Sequence, residues 1–151
     1  MTQSADKPQL SADFLSREPA RVHRATWTVI NTRDPAVLGP PAADLVAIER
    51  ATRNLDLGGE LQANARALAH ALDRLRHYRD GSCLCADYTT LEFYDPAEEQ
   101  ARAHVLILDT VPNDHQWEPD RICQCTGCGK RFQVEQGESH YSWWRWQELP
   151  A

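Results

Sequence analysis

Residues 121–134 read RICQCTGCGKRFQV, and the fold of the carboxyl-terminal half turns on them. Apolar and polar residues alternate on both sides, so 121–125 and 131–134 read as strands, with Cys125-Thr126-Gly127-Cys128-Gly129-Lys130 as the turn between them. Two thiolates separated by two residues can hold one tetrahedral ion through a tight turn whose backbone amides point at sulfur. A glycine after the second Cys permits the positive φ that such a turn needs. A structural tetrahedral site takes four protein ligands, and Cys83-Leu84-Cys85 supplies the second pair, with 39 residues between Cys85 and Cys125. The five cysteines of the chain fall in two tight clusters and are odd in number, which argues against a disulfide framework and for a metal. Packing thiols are usually scattered instead. A redox dithiol would want a helix opening at the second Cys, whereas Gly129 to Val134 alternates like a strand.

The hexapeptide 125–130 resembles the knuckle of zinc-ribbon and rubredoxin-like proteins, with Phe132-Gln133-Val134 continuing as the strand that leaves it. The first pair departs from that pattern, being CxC with a long connection that holds two predicted strands. In ribbon-like knuckles the position two before the first Cys carries a core hydrophobe. On that resemblance the ligands are Cys83, Cys85, Cys125 and Cys128, and Cys123 is a packed thiol; a ligand set that includes Cys123 is the rival. Four thiolates suit Zn²⁺, and Fe²⁺ accepts the same donors. A closed four-thiolate site leaves no position for a catalytic water, so the ion is expected to be structural and to contribute folding energy. The wider run, a CxC, then CxCxxCG, a hydrophobic strand and a terminal YxWWxW, resembles small bacterial zinc-ribbon proteins, some of which look like immunity proteins paired with toxins. That likeness implies a non-enzymatic role in which an acidic surface occludes a basic partner.

Outward from the knuckle, 104–111 (HVLILDTV) and 89–94 (TTLEFY) also read as strands, separated by turns at Asp95-Pro96 and Pro112-Asn113-Asp114. Upstream, Leu61, Ala65, Leu68, Leu72 and Leu75 recur as one face of a long helix that Gly81 stops, with Arg74, Arg76, His77 and Arg79 complementing its carboxyl-terminal dipole. Leu45, Ile48, Thr52 and Leu55 predict a second helix starting near Pro41 and ending near Gly58-Gly59. The β-branched and aromatic run 21–32 (RVHRATWTVINT) reads as a strand. Residues 1–20 are expected to form a flexible arm. The expectation is one α+β domain over 21–151, a helical amino-terminal half with one strand (21–81) packed on a small, mostly antiparallel, zinc-binding sheet (82–151).

Sixteen basic residues against 22 acidic ones give the 151-residue chain a net charge of −6. The excess is local: residues 81–151 hold 5 basic and 12 acidic side chains, a balance of −7. This disfavours nucleic acid as a partner; the bland reading is a solvated face, while the immunity-protein likeness implies a basic partner, for example a toxin, with Glu98 and Glu99 as steering charges. The run Tyr141-Ser142-Trp143-Trp144-Arg145-Trp146 makes both faces of a terminal strand aromatic; one face can seal the sheet, while Trp144 and Trp146 are candidate partner anchors. None of the six histidines forms an HxH or HxxxH pair. His140, beside Tyr141, carries the alternative reading of a small enzyme, and the knuckle carries that of a zinc-ribbon nucleic-acid or transcription-associated module. No window approaches a membrane span and the polar start lacks a signal-peptide core, so the cytoplasm is the expected compartment.

Overall fold

The computed structural model describes residues 9–58 and 63–151. The chain is α+β and divides into two compact units, Met1–Leu84 and Cys85–Ala151. Leu61 and Gly59, which belong to the predicted helix stripe and stop, lie outside the described residues.

The first unit is helical. Helix α1 (Leu10–Leu15) replaces the expected arm over its residues, because Leu10 and Phe14, four apart on one face, are both buried. Helix α2 (Pro19–Asn31) corrects the strand expected over 21–32. Its buried residues are Val22, Ala25, Thr26, Val29 and Ile30, a spacing of three and four, not two. The β-branched content that suggested a strand costs a helix only up to about 0.7 kcal/mol per residue, whereas burying a Val or Ile is worth about 1.5–3 kcal/mol. Thr26 and Thr28 accommodate the helix by donating their hydroxyls to the carbonyls of Val22 (2.8 Å) and Arg24 (3.1 Å).

The next helix begins earlier than predicted. Asp34 caps α3 (Pro35–Ala43) by accepting the Ala36 amide at 2.9 Å, and Pro35 occupies its first turn. Pro40 and Pro41 fall inside α3, which ends two residues later. Helix α4 (Leu45–Thr52) then carries Leu45, Ile48 and Thr52 of the predicted stripe into the core and ends well before Gly58, leaving the half-buried Leu55 outside it.

Helix α5 (Ala63–Arg79) packs on α2 and α3 through Ala67, Leu68, Ala71 and Leu75; Ala65 of the predicted stripe is exposed and Leu72 half-buried. Gly81 ends it as expected, at φ +77, with the Ser82 amide reaching His77 (3.0 Å) and the Gly81 amide reaching Tyr78 (3.1 Å). Arg74, expected to complement the carboxyl-terminal dipole of its own helix, turns inward. It is fully buried and donates to the carbonyls of Val29 (2.9 Å), Thr32 (2.7 Å) and Leu84 (3.4 Å). Two of these lie at the end of α2, so the guanidinium caps the negative pole of a neighbouring helix.

A 3-10 helix (Leu84–Thr89) starts at the last residue of the first unit, and the second unit continues with helix α6 (Pro96–Ala101), capped by Asp95 accepting the Ala97 amide at 2.9 Å. The strand expected over 89–94 does not form there, although the Glu92 carbonyl does accept the Trp144 amide at 2.9 Å. Strands β1 (Val105–Val111), β2 (Asp120–Cys125), β3 (Arg131–Glu138) and β4 (Ser142–Glu148) form an antiparallel sheet in simple sequential order. Its core is aromatic. Tyr88 stacks on Trp146 at 4.1 Å between ring centres, and Phe132 and Tyr94 meet Tyr88 edge-on. Trp143 lies across the sheet from Gly137 so closely that a Cβ there would come within 2.1 Å of the indole, which accounts for glycine near the end of β3.

Candidate metal centre

Among the described residues, Cys83, Cys85, Cys125 and Cys128 form a group whose sulfurs all lie within 4.8 Å of one another. Cys85 enters on the first turn of the 3-10 helix with Cys83 two residues ahead, Cys125 ends β2, and Cys128 sits in the turn that follows. The Cys85 and Cys128 sulfurs are 3.4 Å apart. A tetrahedron with Zn–S bonds of about 2.3 Å has an edge of roughly 3.8 Å, a length that these two distances bracket. The donor set is all sulfur, so the group can hold one soft or borderline divalent ion.

The turn is built as its glycines suggest. Gly129 has φ +80, its amide returns to the Cys125 carbonyl (2.9 Å), the Cys125 amide bonds Lys130 (2.8 Å), and the Gly127 amide points at the Cys125 sulfur (3.4 Å). Amides aimed at sulfur favour the thiolate that a metal needs. At the surface, the Lys130 ammonium is held above its ordinary range, first by Glu148 (3.5 Å) and secondarily by the Cys85 and Cys128 thiols.

A polar network anchors the turn from behind, and sequence reasoning missed it. Thr126 donates its amide to the His104 carbonyl (3.0 Å), and its hydroxyl reaches the carbonyls of Ala103 (2.8 Å) and His104 (2.9 Å). The His104 ring lies 3.3 Å from Glu99, whose carboxylate also accepts from Tyr88 (2.7 Å) and Arg102 (3.0 Å). Burial pushes the Glu99 carboxyl upward. Hydrogen bonds from His104 and Tyr88, then the charge of His104 and the bond from Arg102, more than reverse that, so it is held below the usual carboxylate range. The available signal was Asp95-Pro96 followed by Glu98-Glu99, a capped helix start that brings Glu99 inward.

The other named residues fall elsewhere. Cys123 is fully buried in β2 opposite Ile107 and Phe132, outside the four-sulfur group; burial pushes its thiol up to about 11 against a smaller downward pull from Arg121. Two of the candidate partner residues are interior: Glu99 is 1% exposed and Trp146 is 3% exposed, with its indole N–H bonded to the Tyr94 carbonyl at 2.8 Å. Neither offers an accessible contact. Glu98 is exposed and pairs with Arg102 at 3.6 Å, and Trp144 is half-buried. His140 is exposed in the β3–β4 turn, outside the sulfur group. Trp117, in the β1–β2 loop, is fully exposed, and the sequence reading passed over it. No helix among the described residues is long and apolar enough to cross a membrane. Comparison with protein-family models, with curated proteins and with solved structures finds no match to this chain.

Proposed function

We propose that this chain is a zinc protein in which Cys83, Cys85, Cys125 and Cys128 hold one structural Zn²⁺, and that it works in the cytoplasm by binding another protein. The observation that carries the reading is the convergence of four sulfurs within 4.8 Å from two segments far apart in sequence. Four thiolates fill the coordination sphere of zinc and leave no site for a metal-bound water, which favours a structural ion over a catalytic one. The −7 balance of residues 81–151 favours a basic protein partner, such as a toxin that the chain would neutralise, and Trp117 provides an exposed aromatic side chain for such a contact. Elemental analysis of the purified chain should find about one zinc per molecule. A folded, metal-free preparation whose stability is indifferent to added zinc and to chelator would overturn the metal reading. Pull-down from the native cell should recover a basic protein whose capture weakens as salt rises. Tight, salt-sensitive DNA or RNA binding with no protein recovered would overturn the partner reading.

A further inference from the structure

The four sulfurs are unequal in their access to solvent. Cys85 and Cys125 are each 1% exposed and Cys83 is half-buried, whereas Cys128 is exposed, next to Gly129 at the outer end of the turn. Cys125 accepts an amide hydrogen bond from Gly127, which draws charge off its sulfur; among the described residues no amide donor reaches Cys128. Cys128 is thus the sulfur nearest solvent, and an accessible thiolate is the one a diffusing electrophile attacks first. Its neighbour at 3.4 Å is Cys85, from a segment 43 residues away. A disulfide needs about 2.05 Å between sulfurs, so roughly 1.4 Å of approach would close one.

We propose that the centre is a hydroperoxide-sensitive zinc switch, in which Cys128 is oxidised first, Cys85 captures it, and the resulting Cys85–Cys128 disulfide releases the ion. This rests on the zinc reading above. In the first step the Cys128 thiolate attacks the peroxide O–O bond, becoming a sulfenic acid as hydroxide leaves. In the second the Cys85 thiolate attacks the Cys128 sulfur, the S–S bond forms, and a second hydroxide leaves. The two sulfurs supply the two electrons that reduce the peroxide, and zinc departs as Zn²⁺ with its charge unchanged. Only Cys83 and Cys125 then remain as thiolates, too few to retain a structural ion. The new bond joins the same two segments that the metal joined.

The test is titration of the zinc-loaded full chain with hydrogen peroxide in the presence of a chromogenic chelator, followed by non-reducing peptide mapping. The expected result is zinc release in step with a Cys85–Cys128 linkage, reversed by dithiothreitol and fresh zinc. Cys128→His keeps a nitrogen donor for the metal and removes the exposed thiolate, so peroxide-driven release should slow by roughly tenfold or more; Cys123→Ala should release zinc at the wild-type rate. Linkage mapped to Cys125–Cys128 or Cys83–Cys85, or zinc retained with thiols unmodified, would overturn the switch. A chain that holds no zinc before peroxide is added defeats the zinc reading itself, and the switch with it. If Cys128→His fails to load zinc, the wild-type peptide map still decides.

Discussion

Arg74 in the helical unit and Glu99 in the sheet unit are both fully buried ions, and they are held in different ways. Two of the three carbonyls that Arg74 binds, those of Val29 and Thr32, lie at the end of α2, so these partners exist whenever that helix does. Glu99 is held by the side chains of Tyr88, Arg102 and His104, each of which must itself be positioned. The contrast extends to the two cores. The helical unit buries aliphatic side chains from several helices at helical spacing, while the sheet unit relies on a small aromatic cluster and keeps Leu106 and Leu108 of β1 exposed. A small unit has little apolar area to bury, and a metal is one of the usual supplements. On the zinc reading, the helical unit should therefore be governed by packing and the sheet unit by the ion that the four cysteines would hold.

The sharpest way to break this contrast is to remove the ion that the zinc reading places on the four cysteines. Chelation, or Cys125→Ser, should cost the sheet unit on the order of 5 kcal/mol or more. The near-ultraviolet circular dichroism of the Tyr88–Trp146 stack should collapse while the far-ultraviolet helix signal of α2 and α5 persists. Equal loss of both signals would show that the division of labour is wrong. Next in size is Arg74→Met, which leaves buried carbonyls without their donor and should cost about 3 kcal/mol in chemical denaturation, with zinc content unchanged.

Glu99→Gln tests the side-chain scaffold through pH. The Glu99 carboxyl is held below its ordinary value of 4.5 in the fold, so its ionised form adds stability that is fully present above that value and is lost as pH falls through the lower folded value. The wild type should lose its advantage over Glu99→Gln across that acid window. The difference between the two proteins cancels thiolate protonation, which both share. A constant gap across the window would mean that Glu99 is not held as an ion. The smallest effect is expected from Cys123→Ala, which should retain the full metal content and cost about 1 kcal/mol of packing; metal loss equal to that of Cys125→Ser would place Cys123 in the ligand set.

Much of the local structure was legible from the chain itself. Strand-like runs marked β1, β2 and the start of β3, the 3.6-residue stripe marked α5, and the glycines at 81 and 129 announced the left-handed turns that they make. These are features in which the pattern and the backbone requirement lie in the same few residues. The clustering of thiols likewise made the two cysteine pairs the metal candidates on donor chemistry alone. What failed was whatever depended on distant neighbours. Residues 21–32 have strand-like composition and a helical burial spacing, and the spacing prevailed because Val22, Val29 and Ile30 have a core to enter. Residues 89–94 look like a strand but form none. Trp146 and Glu99 look like surface contacts until the aromatic cluster and the His104 network enclose them. Period, turn chemistry and ligand type were thus determined by the sequence alone. Burial, the partner of each buried charge and the meeting of two cysteine pairs 39 residues apart were decided only by the tertiary structure, because each depends on side chains that the fold brings together from distant positions.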